Sequence, residues 1–160
     1  MQTSFNAAAA TATAKCKVTR PDPAFEAGAA AGRPIQVLLV EDDSESAELT
    51  QIRLTQTTDE HYLVEWSPNL LRAINRLSEP GIDVVLLDLG LPELTGYKTC
   101  RAIEWAAGDR IPIVVLTGDD RRTTRDLSLA YGAKDFLLKN KVTPVEIRKA
   151  IRKAALRLNA

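Results

Sequence analysis

Cysteine occurs only twice in this sequence, at Cys16 and Cys100, far apart. Such spacing makes neither a disulfide framework nor a metal-binding pair, and it suits a reducing compartment. No apolar run approaches the roughly 20 residues that a membrane-spanning helix needs. The stretch from Met1 to Ala14 lacks any basic residue and any Leu-rich core, so no signal peptide is expected. Net charge is missing as well, with 21 basic residues against 21 acidic ones. That balance points to neither nucleic acid nor an anionic membrane as a partner. Together these absences predict a cytoplasmic protein. The single histidine, His61, lies in a polar stretch beside Glu60 and reads as a surface residue rather than a phosphodonor.

What is present is an ordinary globular composition, with 45% hydrophobic and 26% charged residues in a chain of 160. Residues 1–33 are rich in Ala, Thr, Gly and Pro, and contain few large apolar side chains. They cannot bury enough surface to offset the entropy of ordering, so a disordered extension is expected there, followed by one folded domain over 34–160.

From Ile35 onward five short apolar runs appear: Ile35–Val40 (β1), Tyr62–Trp66 (β2), Val84–Leu87 (β3), Ile113–Leu116 (β4) and Phe136–Leu138 (β5). Four are continuous apolar blocks, save for Gln36 near the start of the first, as expected for strands covered on both faces of a parallel sheet. The second alternates and suits an edge. Segments of helical length separate the runs: Ser44 to about Thr55 (α1), a stretch opened by Asn69 or Pro68 that runs through Leu77 and ends before Pro80-Gly81 (α2), the stretch after Gly96 to Ala107 (α3), Thr123–Tyr131 (α4) and the stretch after Thr143-Pro144 (α5). In α2 the stripe is read as Leu70, Leu71, Ile74 and Leu77. In α5 it is read as Val145, Ile147, Ala150, Ile151, Ala154 and Leu156. Trp66 and Trp105 are assigned to packing. Five alternations of strand and helix predict a doubly wound α/β sheet with helices on both faces.

Ligands in such sheets gather at the carboxyl ends of the strands. Here β1 ends in Glu41-Asp42-Asp43, β3 in Asp88, β4 in Thr117 and β5 in Lys139. Singly, each has a commoner explanation: helix caps for the first three, a turn residue for Asp88, a β-branched strand residue for Thr117 and a solvated charge for Lys139. Their coincidence at one rim is what points to a site. Two carboxylates about 4 Å apart repel by roughly 4 kcal/mol at an effective dielectric of 20. Gathering Glu41, Asp42 and Asp88 therefore calls for Lys139 and a hard divalent cation such as Mg²⁺. A carboxylate pocket with an open metal position suits phosphoryl groups, with Asp88 as nucleophile and Thr117 and Lys139 contacting phosphoryl oxygens.

Four stretches now carry a resemblance: Val37-Leu-Leu-Val-Glu-Asp-Asp43, Val84-Val-Leu-Leu-Asp-Leu-Gly-Leu-Pro92, Val114-Val-Leu-Thr-Gly118 and Gly132-Ala-Lys-Asp-Phe-Leu-Leu-Lys139. In order and spacing the chain resembles the receiver domains of bacterial two-component response regulators. The resemblance implies a flavodoxin-like five-stranded sheet of order 2-1-3-4-5, an order for which a receiver is a standing example. It implies Mg²⁺ held by Glu41, Asp42, Asp88 and the backbone carbonyl of Gly90. Asp88 becomes the phosphoacceptor, Thr117 and Phe136 the switch pair, and Lys139 the phosphoryl-contacting lysine. The implied donor is a sensor histidine kinase or a histidine phosphotransfer protein. The implied output is a downstream protein bound at the α4–β5–α5 face, which is also open to use in a homodimer. An enzyme is not expected beyond self-phosphorylation and slow autodephosphorylation.

Two positions depart from the family pattern. Asn140 stands where a proline usually follows the lysine, which puts the reach of Lys139 in question, since a cis bond before a non-proline residue costs about 2.5–4 kcal/mol. Gly90 leaves Asp88 open to water, which predicts a shorter phosphoryl lifetime. A receiver cut from a larger regulator or hybrid kinase fits the same motifs. An aspartyl-phosphate phosphatase would need a second Asp at Gly90. A nucleotide or flavin binder would need a Gly-rich first loop where Glu41-Asp42-Asp43-Ser44-Glu45 stands.

Overall fold

The computed structural model describes residues 33–56 and 61–157; the expected disordered extension, apart from Arg33, lies outside the described residues. Five parallel strands, Ile35–Val40, Tyr62–Ser67, Val84–Leu87, Ile113–Thr117 and Ala133–Leu138, form one sheet in the order β2-β1-β3-β4-β5. The helices are Ser44–Thr55, Leu70–Leu77, Tyr97–Ala107, Arg122–Ala130 and Pro144–Arg157. A single 3₁₀ turn, Gly108–Arg110, follows α3.

Strand alternation sorts the apolar residues into two layers. Leu38, Val40, Val85, Leu87, Ile113 and Val115 pack under α2 and α3. Their neighbours Val37, Leu39, Val84, Leu86, Val114 and Leu116 pack under α1 and α5. Both faces of β3, of β4 and of β1 from Val37 onward are thus buried, which explains their nearly continuous apolar sequences. The order reverses direction between β1 and β3, and this switch point is where β1 and β3 deliver their final residues to the rim.

Several expectations need correction. The β5 strand starts three residues earlier than its apolar block, at Ala133, because Lys134 and Asp135 are tolerated at a sheet edge. The β2 strand runs one residue further, to Ser67, and α4 spans Arg122–Ala130 rather than Thr123–Tyr131. In α2 the buried residues are Leu70, Ala73 and Leu77; Leu71 is 67% exposed. In α5 Val145 and Leu156 face solvent, while Ile147, Ala150, Ile151, Ala154 and Ala155 are buried. Trp105 is not a packing residue at all, being 84% exposed. It lies two positions from buried Ile103, so on a helix it points nearly opposite to it.

Local chemistry sets the helix ends. Asp43 caps α1 by accepting from the Ser46 amide at 2.6 Å, and Asn69 caps α2 by accepting from the Arg72 amide at 2.9 Å. Thr143 and Glu146 cap α5 reciprocally: the Glu146 carboxylate accepts from the Thr143 amide at 2.8 Å, and the Glu146 amide donates to the Thr143 hydroxyl at 3.3 Å. Gly132, after α4, adopts φ +100°, a conformation that side chains with a Cβ rarely take.

Candidate functional site: a carboxylate pocket at the strand rim

Glu41, Asp42 and Asp88 each present a carboxylate oxygen within 4.8 Å of the other two. Glu41 and Asp88 are buried and Asp42 is exposed. The first and third strands therefore bring together the three acids that sequence reasoning placed at one rim. Asp43, by contrast, serves as the α1 cap, so the helix-cap explanation holds for that residue alone.

Lys139 completes the cluster. Its Nζ donates to Asp88 Oδ2 at 2.8 Å and also pairs with Glu41 Oε2. The lysine is set by backbone bonds on both sides: its own amide donates to the Thr117 carbonyl at 3.0 Å, and the amides of Lys141 and Val142 both donate to the Leu138 carbonyl. No peptide bond among the described residues is cis, so Asn140 follows Lys139 through a trans bond and the lysine still reaches the pocket. The question raised by the missing proline is answered by this turn.

Ser46 is a member of the site that the residue-type reading missed. Its hydroxyl donates to Glu41 Oε2 at 2.9 Å and accepts from Lys139 Nζ at 3.0 Å. A signal was available: side chains in the first turn of a helix lean back toward its N-terminus, which here means back over the end of β1. Glu41 Oε1 additionally accepts from the Asp43 amide at 3.3 Å. Trp66, assigned to packing, instead donates its indole N–H to the Glu41 backbone carbonyl at 2.7 Å.

Burial pulls the two inner carboxylates the same way, and their partners separate them. Burial alone would raise Asp88, but the hydrogen bond and charge of Lys139, with smaller help from Thr117 and the Gly90 amide at 3.2 Å, hold it below the usual carboxylate range. Burial raises Glu41, and the neighbouring Asp88 charge adds to this, against the pull of Lys139 and Ser46. Asp88 is accordingly an ionised, lysine-paired carboxylate at neutral pH.

Thr117 ends β4 at the same rim, buried, with its hydroxyl accepting from the Asp119 amide at 3.3 Å. Phe136 lies in β5 opposite Val115 and packs partly buried against the α2–α3 layer, so it is placed beside the rim rather than in it. Arg121, just before α4, is engaged by Asp119 at 2.6 Å. Cys100 lies on the buried side of α3, and burial pushes its thiol up to about 11, so it stays protonated and unreactive.

The donor set is all oxygen, anionic and partly open at Asp42, which fits a hard divalent cation such as Mg²⁺. Fold and site together define a flavodoxin-like sheet with a cluster of three carboxylates at its switch point. The family described as "Response regulator receiver domain" matches residues 37–152, and the chain belongs to that family. The chain is 39% identical over 106 residues to "Swarming motility regulation protein RssB" of Serratia marcescens, covering 66% of this chain and 46% of that protein. It is 33% identical over 106 residues to "Response regulator MprA" of Mycobacterium sp. (strain KMS), covering 66% and 44%. The chain thus spans less than half the length of the curated relatives it matches. Among solved structures, a CheY-like receiver domain protein from Methanospirillum hungatei JF-1 superposes with TM-score 0.68 at 19% identity, covering 79% of this chain and 97% of that one. The signal receiver domain of an HD domain-containing protein from Pseudomonas fluorescens Pf-5 gives TM-score 0.69 at 20% identity, covering 79% and 98%. These likenesses agree with the sheet order seen here. No helix among the described residues is long and apolar enough to cross a membrane.

Proposed function

We propose that the chain is a phosphoacceptor in two-component signalling, in which Asp88 takes a phosphoryl group from a phosphohistidine donor. One observation carries the reading: a buried carboxylate held ionised by Lys139 at 2.8 Å, next to two further carboxylates at an open rim. In the transfer, an Asp88 oxygen attacks phosphorus, the P–N bond to the donor imidazole breaks, and an acyl phosphate forms. Asp42, Asp88 and the Gly90 carbonyl would hold Mg²⁺, which supplies positive charge against the phosphoryl oxygens. Lys139 exchanges part of its bond to Asp88 for a phosphoryl oxygen, and Glu41 with Ser46 keeps the ammonium in place. Gly90 leaves one approach to Asp88 uncovered by any side chain.

The signal leaves through the neighbouring strands. Thr117 turns its hydroxyl toward the phosphoryl group, Phe136 follows into the vacated space, and the α4–β5–α5 face changes for a protein partner. No catalytic turnover of a separate substrate is part of this reading.

The test is incubation with acetyl phosphate and Mg²⁺ followed by intact-mass measurement. One added phosphoryl group is expected, lost in Asp88→Asn and absent with EDTA. An adduct that persists in Asp88→Asn would refute the assignment.

A further inference from the structure

A groove of about 380 Å³ opens between β5 and α5, away from the carboxylate pocket. Leu137, Leu138, Val142 and Ala150 form its apolar floor, and Lys141, Lys149 and Lys153 stand around it. The β5 strand is the last in the sheet order, so its outer edge has no strand partner among the described residues. The two acids in the groove are already used. Asp135 accepts from the Phe136 amide at 2.8 Å, and Glu146 accepts from the Thr143 amide and hydroxyl, both at 2.8 Å. Lys141 and Lys153 are in no ion pair among the described residues, and Lys149 acts on Glu146 only through its charge. The surrounding sequence is strongly asymmetric. Residues 133–157 hold eight of the chain's 21 basic residues but only two of its 21 acidic ones.

We propose that this groove binds an extended, acidic segment of a partner protein, added alongside the free edge of β5. The inference rests on the α4–β5–α5 output reading and specifies its partner. A strand edge offers unpaired backbone N–H and C=O groups, which an extended peptide satisfies, while alternate side chains enter the groove. Apolar residues on one side of that peptide meet Leu137, Val142 and the exposed Val145. Acidic residues on the other meet Lys141, Lys149 and Lys153. A nucleic acid is disfavoured because Phe136, the one aromatic lining the groove among the described residues, is partly buried against the core and unavailable for base stacking.

Binding of a fluorescein-labelled peptide of about ten alternating Glu and Val residues tests this by fluorescence polarisation. Amide chemical shifts map the contact. Saturable binding is expected, with shifts concentrated in Asp135–Leu138. Lys149→Glu/Lys153→Glu, at two exposed positions, should weaken it at least about tenfold and gain affinity for the matching Lys-Val peptide. No saturable binding, equal binding of the Lys-Val peptide to the unaltered protein, shifts confined to other elements, or preferential binding of a single-stranded oligonucleotide would each overturn the proposal. The mass assay at Asp88 is read separately. Phosphorylation without peptide binding removes only this inference, and peptide binding without phosphorylation removes only the phosphoacceptor reading.

Discussion

Replacing Lys139 with Met removes the one cation that two buried carboxylates share, and its effect on stability should depend steeply on pH. At 4.8 Å, the outer limit of the spacing among the three carboxylates, unit charges repel by about 3.5 kcal/mol at an effective dielectric of 20. Breaking a buried ion pair by removing one partner costs about 3–5 kcal/mol where the remaining charge cannot relax. Lys139 is 25% exposed on its side chain and Asp42 opens to solvent, so water takes up part of that cost. We expect a loss of about 2–4 kcal/mol at pH 7 without divalent ions. In the unaltered protein Asp88 lies below the ordinary carboxylate range. Its stabilising share is present above about pH 4 and fades as pH falls through the lowered value. Glu41 is displaced upward chiefly by burial, so its ionisation costs stability as pH rises through the raised value. Without Lys139 both groups move up, and both become costly at neutral pH.

Acidification should therefore close the gap. Urea unfolding at pH 7 and pH 4 should show the deficit of Lys139→Met shrinking to about 1 kcal/mol or less at the lower pH, where both carboxylates of the variant take up protons. Millimolar Mg²⁺ at pH 7 should recover part of the loss, because binding to the folded state alone adds stability by mass action. A deficit equal at both pH values would mean that Lys139 stabilises by packing its methylenes. The electrostatic account of the pocket would then be wrong.

Three further predictions come from single side chains. Ser46→Ala removes one hydrogen bond to the Glu41 carboxylate, worth at most about 1.5–3 kcal/mol with Lys139 still present. It should weaken Mg²⁺ binding roughly three- to tenfold. The change is readable from Trp66 fluorescence in a Trp105→Phe background, since the Trp66 indole bonds the Glu41 carbonyl; unchanged affinity would remove Ser46 from the site. Gly90→Leu should lengthen the life of the acyl phosphate, because a Cβ there would lie 3.5 Å from Asp88 Oδ2, ordinary contact that lets a longer side chain cover the carboxylate. A half-life no longer than that of the unaltered protein, followed by mass over time, would show that water arrives from another side. Gly132→Ala should destabilise by about 1–2 kcal/mol from its positive φ alone. A new Cβ would also approach Glu104 Cγ to 2.9 Å, so Glu104→Ala should recover only the clash and leave the backbone cost visible in urea melts.

The parts of this fold legible in the sequence are those where one physical demand acts alone. β1, β3 and β4 lie between two helical layers, so burial on both faces imposes long aliphatic runs, and their positions could be read directly. The β5 strand sits at an edge with one face half open, so Ala133, Lys134 and Asp135 satisfy it without an apolar signature. Helix faces were misread where apolar residues flank the buried stripe. Leu71, Val145 and Leu156 differ from their buried neighbours only in angle, which a count of apolar residues does not register.

The candidate site was legible from residue types as a set at one rim, and its roles only through the family resemblance. Glu41, Asp42 and Asp88 look equivalent on the page of letters. In space, Glu41 is enclosed by Lys139, Ser46 and the Asp43 amide, whereas Asp42 is exposed. Glu41 thus has little freedom to meet an incoming ion, and its charge acts through the lysine it holds. Asp42 is the carboxylate left open to solvent, while Asp88 is buried with Oδ2 on Lys139 and Oδ1 on the Gly90 amide. That division follows from where the first turn of α1 leans, and it predicts that Asp42→Asn costs more Mg²⁺ affinity than Glu41→Gln, whereas Glu41→Gln more strongly disturbs Lys139. Titration of both variants by Trp66 fluorescence separates the two, and the reverse order of affinities would show that the enclosed carboxylate opens to take the ion.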